Sequence, residues 1–154
     1  QLQRTILNSI NDNPTVLFPE ESLQQIFMTI YLAEDPISIR DIARTTGLSL
    51  ASVSTKAKEL LKYRVITKHT EPQNRQLFLK TSCSLIDVMK MHSTIKTETM
   101  ERKTEELHRL KKNEKVHVEE KKKINRIIKE LDIIIKANKQ FTEQLSKQQA
   151  RRTS

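Results

Sequence analysis

The side chains able to do chemistry in this sequence are cations and small hydroxyls, and they are concentrated together. Residues 40–80 hold nine Lys/Arg (Arg40, Arg44, Lys56, Lys58, Lys62, Arg64, Lys68, Arg75 and Lys80) against Asp41, Glu59 and Glu71. Among them stand Ser49, Ser52, Ser54 and Thr55. Cations and hydroxyls at this density suit phosphate oxygens and base edges. Catalytic patterns are missing. With one glycine in 154 residues there is no phosphate-cradling loop, dinucleotide fingerprint or nucleophile elbow. His92, His108 and His117, though near glutamates, lack the compact spacing of metal ligands. No metal, no cofactor and no enzyme activity are expected. Cys83 is the single cysteine, so no intrachain disulfide can form. A buried structural thiol in a reducing cytoplasm is the expectation, a redox sensor the weaker alternative.

Composition says what kind of scaffold carries these groups. A hydrophobic share of 36% against 31% charged is too polar for one compact core throughout. One glycine and four prolines exclude a loop-rich or all-β fold. No apolar run approaches the roughly 20 residues that span a bilayer, so no membrane is expected. A net charge of +9 favours an anionic partner. Beyond residue 81 the two signs are interspersed, as on a solvated helix.

The elements follow from periodicity. LQRTILNSI reads as a short helix with Leu2, Ile6 and Ile10 on one side, interrupted from Asn11 to Pro14. Pro19, with Glu20 and Glu21, opens a second helix whose stripe is Leu23, Ile26, Phe27, Ile30 and Tyr31. Ser38 and Asp41 make a capping box for a third, short helix with Ile42 and Ala43 inward. Gly47, the lone glycine, ends it with a φ > 0 turn. Ser49 then caps a fourth helix, Leu50 to Tyr63, with Val53, Ala57, Leu60 and Leu61 inward. VITKHT and RQLFLKT read as two strands around the turn EPQN, with Ile66, Leu77 and Leu79 as core contacts.

From Ser82 onward the pattern is helical. Ser84 and Asp87 make another capping box, followed by Leu85, Ile86, Met89 and Ile95. Met100, Leu107 and Leu110 continue a weak seam interrupted by Lys103, and KKNEKV either breaks the helix or solvates it. The last segment carries Ile124, Ile127, Ile128, Leu131, Ile134, Ile135, Asn138, Phe141 and Leu145, with Asn138 as a polar register-setter. A continuous helix over residues 116–150 would be about 50 Å long. Its apolar stripe needs a partner: the preceding helix, a second subunit, or both. Dimerisation is expected through Leu107, Leu110 and that isoleucine-rich stripe.

Helix, tight turn, helix and two-stranded hairpin is the order of a winged helix-turn-helix. The fold class is mainly α: a winged helix-turn-helix with a two-stranded β wing over residues 1–81. Long C-terminal helices follow over residues 82–154, as a helical hairpin or coiled coil serving dimerisation. Within residues 37–81 the elements "DIA", "TGLS", "VS" and "ELL…VI", then a wing ending in an arginine, resemble the winged-helix core of the MarR family. Within that family the GbsR-like branch is a weaker match, and the motif does not fix one subfamily. The family's usual acidic residue two positions before the wing arginine is replaced here by Gln73, a departure from the pattern that forms the wing-tip brace. The resemblance implies a homodimeric transcriptional regulator, in many members with a small-molecule effector.

On that reading the fourth helix enters the major groove of double-stranded DNA and the wing lies near the minor groove. Ser49, Ala51, Ser52, Ser54 and Thr55 would approach bases or phosphates, with Lys56 and Lys58 further along. The same hydroxyls also serve as helix caps, a role that needs no DNA. No Arg, Asn or Gln stands there for a bidentate base contact, so direct readout is modest and phosphates supply affinity. The wing offers Lys68, His69, Gln73, Asn74 and Arg75, and Arg40 and Arg44 suit phosphates. The expected partner is a pseudo-palindromic operator bound by a repressor dimer, in the cytoplasm or at the nucleoid. The rival reading is a winged-helix assembly module with a coiled-coil tail and no DNA ligand.

Overall fold

The computed structural model describes residues 2–11 and 17–153. It separates into two compact units, Gln1–Leu85 and Ile86–Ser154.

In the first unit, α1 (Leu2–Asn11) precedes α2 (Glu21–Leu32), then β1 (Ile37–Ser38), α3 (Ile39–Thr46), α4 (Leu50–Lys62), β2 (Ile66–Glu71) and β3 (Asn74–Thr81). The core is the amphipathic face of α2, where Leu23, Ile26, Phe27 and Ile30 are buried. Phe27 stacks on Tyr31 and meets Phe18 with ring centroids 5.3 Å apart. Onto this face close Ile42 of α3, Val53, Ala57 and Leu60 of α4, and Leu79 of β3, all essentially inaccessible to solvent. Gln24, also buried, accepts a hydrogen bond from the Leu17 backbone at 2.8 Å, which satisfies a donor that the chain brings inside. α2 begins at Glu21 rather than at Pro19, with Glu20 at its cap and no capping hydrogen bond from the Glu20 side chain. Tyr31 is half-buried, at the edge of the stripe. Leu2 is exposed and Ile6 half-buried, and the side chain of Ile10 lies outside the described residues.

The sheet corrects the two-strand expectation. Its order is β1-β3-β2, all antiparallel, with Ile37 opposite Leu79 and Ser38 opposite Phe78. Two residues are too few to carry an alternation, so β1 leaves no periodic trace in sequence. The strands β2 and β3 are joined by Pro72–Gln73, a tighter turn than EPQN, and the pairing is irregular between His69 and Glu71. Pro72, with its φ fixed at about −65°, cannot take the left-handed first position that both primed turns need, so this is not one of the turns that match strand twist, and the irregular pairing lies beside it.

In the second unit, α5 (Leu85–Lys111) and α6 (Val118–Thr153) are antiparallel, and the break falls in KKNEKV. Cross-helix bonds run in opposite order along the two helices. Gln149 donates to Asp87 and accepts from Lys90, Thr142 donates to Ser93, and Lys111 donates to Asn125. The facing residues alternate by three and four on both helices. They are Ser93, Thr97, Met100, Thr104 and Leu107 on α5, and Ile124, Ile128, Leu131, Ile135, Asn138, Thr142 and Leu145 on α6, all buried or half-buried. This is coiled-coil spacing with an aliphatic end near the loop and a hydroxyl-rich end far from it. Asn138 acts there through its backbone: its carbonyl accepts from Ser93 at 3.3 Å.

Candidate nucleic-acid interface

Two caps set the angle between α3 and α4. The Ser38 hydroxyl accepts the Asp41 backbone N–H at 3.1 Å and donates to the Asp41 carboxylate at 2.8 Å, a reciprocal box that starts α3. Gly47 ends it at φ 75°, its N–H bonded to the Ala43 carbonyl at 2.9 Å. Ser49 then caps α4, its hydroxyl accepting the Ser52 N–H at 3.1 Å. The Ser49 hydroxyl is thus engaged in a structural bond, as is the backbone of Ser52.

α4 buries one face and presents the other. Val53, Ala57 and Leu60 point into the core, while Leu50, Ala51, Thr55, Lys58 and Lys62 are exposed. Ala51, Thr55, Lys58 and Lys62 follow a four-three-four spacing and so share a single stripe. Lys62 enters the site here; the signal in sequence is its place four residues beyond Lys58. Ser52 and Ser54 are half-buried at the margin. Thr55 donates its hydroxyl to the Ala51 carbonyl at 3.0 Å, which leaves its lone pairs and methyl for a ligand.

Lys56 differs from the rest. It is only 22% exposed and ion-paired with Glu20, which also accepts a 2.8 Å bond from Ser22. The Lys56 bond, then the Ser22 bond, hold the Glu20 carboxyl below its ordinary range. Lys56 therefore ties α4 to the start of α2, and its charge is already neutralised.

α4 closes in a Schellman motif. Arg64 N–H bonds the Leu61 carbonyl at 3.0 Å and Val65 N–H bonds the Leu60 carbonyl at 3.4 Å, with Leu60 and Val65 both buried. Arg64 takes φ 60° at the position glycine usually fills. Ser82 then donates to the Arg64 carbonyl at 2.9 Å, and Cys83, half-buried, lies 3.5 Å from the Val65 carbonyl.

The wing is exposed throughout residues 67–76. Lys68 sits across from Leu79, and Arg75 shares its strand face with Leu77 and Leu79, so both long stems leave the core edge. Asn74 spends its side-chain oxygen on the Gln76 N–H at 3.1 Å, keeping its amide donors. Arg40 is exposed, and Arg44 is exposed with a 3.3 Å pair to Asp41. Ala51, Thr55, Lys58, Lys62, Lys68, Arg75 and Arg40 are therefore accessible on one unit, whereas Lys56 is ion-paired and the Ser49 hydroxyl accepts the cap bond.

The long helices divide what looks like one seam in sequence. Ile124, Ile128 and Ile135 are buried within the hairpin, with Leu107, Leu131, Asn138 and Leu145 half-buried beside them. Ile127, Ile134 and Phe141, seven residues apart, are each close to half exposed (46%, 46% and 45%), and Leu110 likewise (47%). Ile134 and Ile95 line one shallow groove, so α5 extends that outer apolar stripe. Among the described residues no helix is long and apolar enough to cross a membrane.

These elements make a winged helix-turn-helix followed by a long two-helix hairpin. The same fold is found in a solved structure described as a transcriptional regulator. It matches with TM-score 0.67 at 9% identity, over 96% of this chain and 99% of that one. The multiple antibiotic-resistance repressor MarR from Listeria monocytogenes is 18% identical over 88% of this chain and 87% of its own, with TM-score 0.42. Lactococcus lactis ZitR in complex with DNA is 18% identical over 83% and 89%, with TM-score 0.40. Of these three, the first alone matches across the fold. No protein-family model and no curated protein matches the chain.

Proposed function

We propose that this chain is a MarR-like regulator of transcription that binds double-stranded DNA as a homodimer. The observation that carries the reading is the outward stripe Ala51, Thr55, Lys58 and Lys62 on a helix whose opposite face is sealed in the core. A helix held this way by a turn at Gly47 is the reading element of helix-turn-helix proteins, entering the major groove by its N-terminal end. Ala51 and the Thr55 methyl suit a thymine methyl, and the Thr55 oxygen suits a donor on a base edge. Lys58, Lys62, Arg40 and Arg44 suit phosphates. Arg75 on the wing suits a narrow minor groove, where negative potential is enhanced. Ser49, Ser52 and Ser54 contribute mainly to the shape of the helix start, and Lys56 braces it.

With no bidentate base reader on the stripe, affinity comes chiefly from phosphates and discrimination from groove shape. A dimer built on the outer stripe of the hairpin would read a pseudo-palindrome, and occupying it would repress. A salt titration on random and operator-like duplexes tests this. Each neutralised phosphate contributes a slope of about −0.9 in log K against log salt. Engagement of six phosphates predicts about a thousandfold loss between roughly 50 and 200 mM salt. Absent or salt-independent duplex binding would reject the reading and leave an assembly module.

A further inference from the structure

One apolar side chain stands where the first unit should be polar. Among the described large hydrophobes of that unit, Leu2 and Leu50 alone are mostly in water, 73% and 53% exposed. Leu2 opens α1, but Leu50 is the first residue of α4, at the end that the duplex reading sends into the major groove. The rest of this tip is uncharged. Residues 45–55, TTGLSLASVST, contain no ionisable side chain and no amide, and cations resume only at Arg44 on one side and Lys56 on the other.

The hydroxyls of the tip are largely spent within it. The Ser49 hydroxyl accepts the Ser52 N–H at 3.1 Å. The Thr46 hydroxyl donates to the Ile42 carbonyl at 2.8 Å and accepts the Leu48 N–H at 3.3 Å. Thr55 donates to the Ala51 carbonyl at 3.0 Å. Ala51 and Thr55, four residues apart, are neighbours on the exposed face, and Leu50 adjoins Ala51 in the first turn. What the tip offers a base edge is therefore mainly carbon: the Leu50 side chain, the Ala51 methyl and the Thr55 methyl. In the major groove the apolar group that a base displays is the C5-methyl of thymine. A 5-methylcytosine carries the same methyl on the same ring carbon. Leucine gains by excluding water from such a methyl. It loses by covering the amino group of cytosine or adenine, whose N–H it cannot accept.

We infer that Leu50, with Ala51 and the Thr55 methyl, selects duplex by the C5-methyl groups displayed in the major groove, on thymine and on 5-methylcytosine alike. Such selection rests on the duplex reading above and deepens it. Phosphates and groove shape position the helix, and the apolar tip chooses among bases with no bidentate hydrogen bond. A hydrogen-bonding reader would not share the consequence. Methylation of a cytosine facing the tip raises affinity, so the same chain on the same sequence senses whether its site is modified.

A duplex selected from a random library by the full chain supplies the probe. Each thymine of one half-site is then replaced singly by deoxyuridine, which pairs with adenine unchanged and lacks only the methyl. At the positions facing the tip, affinity should fall about three- to fourfold, the worth of one buried methyl. Replacing the matching thymine of the other half-site as well should bring the loss to about tenfold. Leu50→Ala should bind the thymine duplex about as weakly as the parent binds the deoxyuridine one, and lose little more on the swap. Leu50→Met, still apolar, should keep most of the swap effect, and Thr55→Ser, which retains the hydroxyl and removes one methyl, should blunt it in part. Lys58→Ala should weaken both duplexes and keep the full ratio between them. Thermal melts check that each variant is folded. At the sensitive position a C·G pair should bind more weakly than T·A. Methylating that cytosine at C5 should recover about three- to fourfold for the parent and nothing for Leu50→Ala. Deoxyuridine swaps without effect at every position, or an undiminished swap effect in Leu50→Ala, would overturn selection by methyl. A methylated cytosine that binds as cytosine does would overturn it for cytosine and leave thymine as the base read. A chain that selects no duplex fails the DNA reading and methyl selection with it, whereas a duplex binder indifferent to deoxyuridine fails methyl selection alone.

Discussion

Gly47 and Arg64 take the left-handed backbone positions among the described residues, and only the first has the residue that geometry prefers. A Cβ added at Gly47 would meet nothing within 4 Å, so the requirement there is torsional and not spatial. Gly47→Ala should therefore cost about 1 kcal/mol in denaturant unfolding, and Gly47→Asn less, since asparagine tolerates this region. A loss above about 3 kcal/mol would mean that the turn also needs room. At Arg64 the sign reverses. Relief of about 1–2 kcal/mol of strain, less about 0.5–1 for the freedom glycine has when unfolded, predicts that Arg64→Gly is stabilising by roughly 0.5 kcal/mol. The Glu20–Lys56 pair adds a pH dependence. The Glu20 pKa is depressed in the folded state, so its contribution is present above the unfolded value and lost as pH falls through the folded one. Glu20→Gln should lower the melting temperature at neutral pH, and the gap to the parent should close in acid. A gap that opened in acid, or closed instead on raising pH, would show that the carboxylate is not the stabilising form.

At the scale of elements, α4 separates lysines that look alike in sequence. Lys58→Ala and Lys62→Ala should each weaken every duplex about equally and flatten the salt slope by about one unit. Lys56→Ala should lower the melting temperature and leave the slope alone, because its charge is committed to Glu20. If Lys56 moved the slope as Lys58 does, the ion pair would not persist in solution. That distinction was not legible in the sequence, since Glu20 lies 36 positions away and no local rule connects them. What was legible is local and periodic. The Ser38–Asp41 box, the glycine turn, the α2 stripe and the inward face of α4 are set by neighbours within four residues, where propensity and packing agree. The strand β1 escaped because its two residues gain their state from β3. The two seams of α6 escaped for another reason. Alternation by three and four describes Ile124–Ile128–Leu131 and equally Ile127–Leu131–Ile134, so spacing alone cannot say which face the neighbouring helix covers.

For the whole molecule that ambiguity becomes an advantage, because the two faces differ in exposure and mutation can separate them. Ile128 is 6% exposed inside the hairpin, whereas Ile134 and Phe141 are nearly half exposed on its outer stripe. A charge at Ile128 is buried without a partner, so Ile128→Glu should unwind the hairpin and reduce helicity. Ile134→Glu with Phe141→Glu meets water in the single chain and should leave the melt of the isolated hairpin contacts nearly unchanged. Between two copies the same pair of carboxylates faces desolvation and mutual repulsion. Light scattering should then report the mass of one chain for the double variant and of two for the parent. Loss of the dimer removes simultaneous binding to two half-sites, so operator affinity should fall about a hundredfold while contacts within one half-site survive. Lys58→Ala should do the converse, weakening binding in a protein that is still dimeric. A double variant that remained a dimer would place the mate on some other face. A double variant that became monomeric but held its operator as tightly as the parent would mean that each copy reads DNA alone.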